Sequence, residues 1–215
     1  MGRRFNWNGE TYSSSNGIQT SVGERLIHTI AFFPDMSVLD AGCGSGNLSF
    51  LLAEKVPKGN VIGIDSSESM IQQAEKALVE QDVRNLEFHL CGINEIDYSN
   101  QFDLVFSNSV LHWVIDIEDG LRRLFRALKR NGMIEVQFPM LNVEHPLVRY
   151  ARRAIHELGL MDYYDRWSFP WYVPESKEHF FEELKKLDLS MWKHLLRKMI
   201  FLIHLHMLFI SIFIL

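Results

Sequence analysis

A chain of 215 residues, 47% hydrophobic and 23% charged, is long enough for one full domain with a single core, and its net charge of −5 leaves no basic footprint for nucleic acid. Its two cysteines, Cys43 and Cys91, have neither metal-ligand spacing nor the look of a disulfide framework, so a reduced, cytoplasmic setting is expected. The first residues carry two arginines without a following apolar stretch, which does not read as a signal peptide.

Residues 1–16 are polar and turn-rich. From there Ile18, Val22, Leu26, Ile30 and Phe33 recur at helical spacing, and Pro34-Asp35 stops the helix. Val38 and Leu39 close a short apolar strand. Asp40 follows, then Gly42, Gly44 and Gly46, then Leu48, Phe50, Leu51 and Leu52 at helical spacing. Strand, glycine turn and helix open a doubly wound, mostly parallel α/β domain with a Rossmann-like sheet flanked by helices. The glycine spacing is not that of the dinucleotide fingerprint, and no Gly-Lys-Ser/Thr follows, so a triphosphate loop is excluded. Asp40 would repel a pyrophosphate but suits a ligand that carries a cationic amine.

The second strand, Val61-Ile62-Gly63-Ile64-Asp65, ends in an acid about twenty residues past the glycine turn, where a carboxylate can accept both hydroxyls of a ribose. Ser66 or Ser67 then caps a helix whose buried stripe is Met70, Ile71, Ala74, Ala77 and Leu78. Alternation marks a third strand over 86–90. A fourth, over 102–108, ends in Ser107-Asn108, beyond which ligands of open α/β sheets bind. A helix over 117–129, a turn at Asn131-Gly132 and a fifth strand over 133–139 follow.

With the acid, the three glycines and their flanking elements in place, the sequence resembles the class I S-adenosylmethionine-dependent methyltransferases, whose first motif ends a strand as Asp/Glu-x-Gly-x-Gly-x-Gly. The run Ser107-Asn108-Ser109-Val110-Leu111-His112-Trp113 narrows the likeness to the trans-aconitate and malonyl-carrier-protein methyltransferases, which methylate carboxylates. The match covers about the first two-thirds of the chain.

The resemblance implies S-adenosylmethionine as cofactor. Asp40 would hold its methionyl amine, the turn at Gly42, Gly44 and Gly46 would admit the methionine portion, and Asp65, with Ser66 beside it, would bind the ribose. Met70 would flank the adenine, although a methionine on a helix stripe also reads as core. Gln19, with Tyr12, matches a pair that some relatives place over the cofactor; a solvated position on an amphipathic helix is the other reading. The family's acid after the third strand is missing, because Cys91-Gly92 stands in its place. The backbone at Gly92 or Ile93 would then meet the adenine, with Asn94 or Glu95 as substitutes for the acid. Ser107 and Asn108 would line the path to the methyl group. His112 is the one base candidate near it, and a structural histidine beside a tryptophan is the alternative.

Beyond the fifth strand, Pro146 opens a helix with Leu147, Val148, Ala151, Ala154, Ile155 and Leu158 on one side and Arg149, Arg152 and Arg153 mostly on the other. The aromatic stretch 163–172 falls where the family inserts substrate-covering elements, so 140–175 reads as a lid or as plain packing. A further helix over 175–187 turns Phe180, Phe181, Leu184 and Leu187 inward. The domain is thus expected over 1–192, with 193–215 as an apolar tail. Residues 199–215 hold no Gly, Pro, Asn or Asp to turn the antiparallel pair that ends this family's sheet. An incomplete or out-of-frame end is the first reading of the tail, a native final strand the second, and a membrane anchor with basic residues before it the third.

The expected reaction is direct displacement of the sulfonium methyl by an oxygen of a small-molecule acceptor, a carboxylic acid, without a metal. The rival is a degenerate module of the same fold that binds cofactor or a partner without turnover. A nicotinamide-dependent oxidoreductase is disfavoured by the glycine spacing.

Overall fold

The computed structural model describes residues 17–139, 146–160, 174, 176–186, 198–204 and 207–213. Its strands are β1 (Ser37–Ala41), β2 (Asn60–Asp65), β3 (Leu86–Leu90), β4 (Phe102–Asn108), β5 (Leu128–Pro139), β6 (Lys198–His204) and β7 (Met207–Phe213). They form one sheet in the order β3-β2-β1-β4-β5-β7-β6. The first five run parallel, and β7 is antiparallel to both β5 and β6. Strand order reverses between β1 and β4, and in open α/β sheets that crevice is where ligands sit.

Val38, Leu39, Leu104 and Val105 are buried because helices cover both faces of the sheet's centre, which is why these strands read as unbroken apolar runs. On one face, α1 (Gly17–Thr29), α2 (Asn47–Lys55) and α3 (Glu68–Gln81) supply Leu26, Ile27, Leu52 and Ile71 to a core with Phe88, Leu104 and Phe106. On the other, α4 (Ile117–Ala127) and α6 (Lys177–Lys186) bring Leu121, Leu124, Phe125 and Phe180 against Val105, Ile134 and Phe138. Phe138 and Phe180 meet edge to face, with ring centroids 5.1 Å apart. Leu26, Leu52, Ile71 and Phe180 were legible from spacing alone.

Several expectations need correction. Phe33 is 64% exposed, because α1 ends at Thr29 and the chain leaves the helix face before reaching it. The fourth helix stops at Ala127, and β5 starts at once with Leu128. Asn131-Gly132 is therefore an irregularity inside the strand, not a turn before it. There the register jumps from Phe102↔Leu128 to Leu104↔Met133, and Asn131 takes a left-handed φ of 68°. On α5 (Pro146–Glu157) the expected apolar face is open at its end: Ala154 is exposed and Leu158 is 70% exposed.

In the apolar tail the described residues take the form of the second reading, strand. Two seven-residue strands pair there with a two-residue link between them, from Lys198↔Phe213 to His204↔Met207, and β7 pairs β5 from Met133↔Phe213 to Pro139↔Met207. No Gly, Pro, Asn or Asp separates the two strands in the sequence, so composition did not mark the boundary between them. The segment takes up strand and not helix, and among the described residues no helix is long and apolar enough to cross a membrane. The aromatic stretch 163–172, most of the expected lid, Tyr12, Leu187 and Trp192 lie outside the described residues.

Candidate active site

Asp40 is the penultimate residue of β1, between Gly63 of β2 and Phe106 of β4, and is 2% exposed. Its Oδ2 accepts the Ser49 hydroxyl at 2.6 Å, from the first turn of α2. Burial pushes the carboxyl up to about 7; the Ser49 bond opposes that rise and the negative charge of Asp65 adds to it.

The three glycines that follow all take left-handed φ, 84° at Gly42, 55° at Gly44 and 87° at Gly46. They do different things. A β-carbon on Gly42 would come within 2.3 Å of Val110, and one on Gly46 within 2.6 Å of Phe88, whereas one on Gly44 would meet nothing within 4 Å. The outer two let side chains close over the turn. Gly44 faces open space, where a ligand can approach bare backbone.

Asp65 closes the other side of the turn. Its Oδ2 accepts Gly44 N–H at 3.0 Å and its Oδ1 accepts Ser67 N–H at 2.8 Å. Burial raises its carboxyl above the ordinary range although these bonds, and one from Ser66 N–H, pull it down. Ser67 is the residue that precedes α3, but its hydroxyl pairs with that of Ser69 and makes no helix cap; Ser66 is exposed beside it. Met70 is buried on the first turn of α3. The Cys43 thiol, between the acids, is pushed well above its usual value by burial and by both carboxylates. Among the described residues neither Asp40 nor Asp65 has a basic partner, so the site is short of positive charge.

At the end of β3, Gly92 N–H donates to Glu95 Oε2 at 2.9 Å, which engages the backbone donor expected for adenine. Glu95 Oε2 stands 3.4 Å from where a β-carbon on Gly92 would be. Asn94 is turned away, its Nδ2 donating to Asp116 O at 2.8 Å, and the Ile93 side chain is in the core.

At the end of β4, Ser107 is fully buried and donates to Ala41 O at 2.8 Å, tying β4 to β1. Asn108 brings its amide to within 3.0 Å of the β-carbon position of Gly23, so α1 passes close over it. The chain then turns through Ser109, at φ 61°, whose N–H donates to Gln137 O at 2.7 Å. Val110 reaches Gly42, and Leu111–Trp113 make a single 3-10 turn. The His112 ring lies 5.0 Å from that of Trp113, and burial pushes the imidazole down to about 4, so it is neutral at physiological pH. Gln19 is on α1, its side chain outside the described set.

The structure thus brings Asp40, the glycine turn, Asp65 and the turn after β4 to one end of the sheet. Ser49, Glu95, Val110 and Gln137 belong to the same region and were not singled out as ligand residues by sequence reasoning, except Glu95 as a substitute acid. A serine within the buried stripe of α2 was the available signal for Ser49.

A parallel sheet that reverses order at β1 and β4, with an acid before a glycine turn and a second acid at the end of β2, defines a Rossmann-like domain suited to a cationic nucleoside. The chain belongs to the family described as "Methyltransferase domain", whose profile matches residues 32–160, more than half of its length. It is 34% identical over 151 residues to a trans-aconitate 2-methyltransferase of Deinococcus radiodurans, covering 70% of this chain and 56% of that protein. It is 32% identical over 136 residues to a malonyl-[acyl-carrier protein] O-methyltransferase of Priestia megaterium, covering 61% and 48%. The chain therefore spans about half the length of the curated relatives it matches.

Among solved structures, a SAM-dependent methyltransferase from Aquifex aeolicus superposes with a TM-score of 0.69 at 16% identity, over 98% of this chain and 100% of that one. A Haemonchus contortus phosphoethanolamine N-methyltransferase in complex with S-adenosylhomocysteine superposes at 0.61 with 20% identity, over 78% and 36%. These likenesses show the fold. The cofactor of the family is S-adenosylmethionine. The residues fit it: two buried acids without a cation suit a molecule with an ammonium and a ribose diol, and Gly44 leaves bare backbone beside them.

Proposed function

We propose that the chain transfers the methyl group of S-adenosylmethionine to a carboxylate oxygen of a small acid. The observation that carries this reading is the turn after β4: it packs on the glycine turn through Val110 and Gly42, and its one titratable side chain, His112, is a half-buried imidazole pushed down to about 4, with little capacity as a base. A carboxylate is ionised at neutral pH and needs no base. The relatives named for trans-aconitate and for malonyl-carrier protein point to the same acceptor class.

In this reading Asp40 holds the methionyl ammonium, Asp65 accepts the ribose hydroxyls on lone pairs left by Gly44 and Ser67, and the backbone at Gly44 lies along the methionine portion. Bound there, S-adenosylmethionine supplies an electrophilic methyl that an ionised oxygen displaces from sulfur. Ser107 acts indirectly by fixing β4 against β1, and Asn108 sits over the path under α1. Met70, Gln19, Ile93 and the exposed Ser66 complete the proposed surround. The protein's work is to orient one oxygen and keep water from it.

The rival reading, binding without turnover, drew on the acid missing at Gly92. Glu95 weakens it, because its carboxylate folds back to the place that a side chain on residue 92 would enter. With free thiols at Cys43 and Cys91, a reducing cytoplasm is the proposed setting. Transfer of labelled methyl from S-adenosylmethionine to trans-aconitate and to a panel of di- and tricarboxylic acids tests the proposal. Incorporation into an ester supports it; tight S-adenosylhomocysteine binding with no incorporation into any acid favours the non-catalytic module.

A further inference from the structure

Buried polar groups are almost always paired, and one that is not lowers stability unless it is kept for a partner that arrives later. Gln137 in β5 is fully buried, and among the described residues neither its Nε2 nor its Oε1 has a hydrogen-bond partner. Two further orphaned atoms, Ser109 Oγ and His112 Nδ1, are buried close by in the chain's path after β4. The link between them is direct, since Ser109 N–H donates to the Gln137 carbonyl. Gln137 lies toward the C-terminal end of β5, and Ser109 and His112 belong to the turn that follows β4, which packs on the glycine turn through Val110.

Gln137 pairs in register with Asn108, so both side chains leave the sheet on the same face, the one that α1 covers beside Gly23. An apolar residue would serve packing better there. Neighbouring β5 positions show this, for Val136 and Phe138 fill the opposite face with carbon alone.

We infer that Gln137, together with Ser109 and His112, is the position that seats the carboxylate of the methyl acceptor. This rests on the function proposed above and assigns residues to its acceptor. The donors fit an anionic oxygen: the amide Nε2–H and the serine hydroxyl give it charge-assisted bonds, and no cation is required to ionise an acid that is already ionised. Gln137 Oε1 then has the hydrogen of His112 Nδ1 to accept, in the tautomer that carries it there. Gln137 is fully buried, so an acid reaches its amide only when the covering side chains part, and it is then held away from water, as the displacement requires.

The volume-conserving variant Gln137→Met, made in the full chain, separates this role from a structural one. It removes two orphaned polar atoms, so its melting temperature should rise by about 2–4 °C relative to the parent chain. With trans-aconitate as acceptor, KM should rise at least about tenfold while kcat changes less than about threefold and the Kd for S-adenosylhomocysteine stays constant. A lower melting temperature overturns the inference, as does an unchanged KM. If the parent chain methylates no acid at all, the proposed function fails separately, and the direction of the melting shift still decides whether Gln137 is held in reserve or is part of the scaffold.

Discussion

Gly44 N–H donates to Asp65 Oδ2 at 3.0 Å, joining the turn after β1 to the acid that ends β2. One carboxylate thus shapes the glycine turn and offers its remaining lone pairs to a ligand, so the turn and the ribose site cannot be altered independently. Asp65→Ala should weaken S-adenosylhomocysteine binding by about 1.5–3 kcal/mol, the range for hydrogen bonds to a charged group. It should also lower the melting temperature, since Gly44 and Ser67 each lose an acceptor. Calorimetry and thermal melts check both; unchanged affinity would mean that the ribose lies elsewhere.

The glycines of the turn should respond unequally. Gly42→Ala forces a β-carbon to 2.3 Å from Val110 at a left-handed φ, and should destabilise the fold by more than about 2 kcal/mol. Gly44→Ala meets no atom within 4 Å, so it should cost only the backbone term of about 1 kcal/mol. Its larger effect should fall on cofactor affinity, because the methyl enters the open approach. Chemical denaturation and ligand titration of the two variants separate these outcomes.

Asp40 gives a pH dependence of known sign. Its carboxyl is held at about 7 in the fold against an ordinary 3.8. The folded chain therefore binds this proton more tightly than the unfolded one, and the stabilisation is complete below about 4 and lost as pH rises through 7. Cofactor binding should run the opposite way. A neutral Asp40 cannot attract an ammonium, so the apparent Kd for S-adenosylhomocysteine should rise by about tenfold per pH unit below pH 7 and level off above it. Asp40→Asn should bind weakly with that dependence gone. Titrations from pH 5.5 to 8.5 measure it.

His112, pushed down to about 4 by burial, has no titration left between about pH 6.5 and 8.5. At saturating cofactor, kcat for a carboxylate acceptor should be nearly flat over that range, and His112→Gln should leave it flat. A steep fall toward the acid end that His112→Gln abolishes, along with most of the rate, would make His112 the base and replace acid methylation by another acceptor class.

The antiparallel pair at the sheet edge decides how the C-terminal run is understood. Stopping the chain before Lys198 removes the partner of β5 from Met133 to Pro139 and exposes a strand edge next to Gln137. A clear drop in melting temperature is expected. A truncated chain as stable as the full one would return the run to an ill-fitting tail.

What the sequence determined by itself is what local chemistry dictates. Asp40, the spaced glycines and the acid at Asp65 specify a strand, a left-handed turn and a helix because few other residues tolerate those dihedrals and that ligand. Central strands announce themselves by unbroken apolar runs, since both their faces are covered. The tertiary structure decided the rest where local rules are silent or misleading. Glu135 and Gln137 alternate with Ile134, Val136 and Phe138, a pattern that reads as a strand with one wet face, yet both are buried in the fold. The bulge at Asn131-Gly132 looks like a turn until its register against β4 is seen. The boundary between β6 and β7 leaves no mark in composition, and only their pairing with each other and with β5 shows two strands there. Local spacing records what each residue permits; which faces are covered, and which amide is left without a partner, depends on segments far apart in the chain.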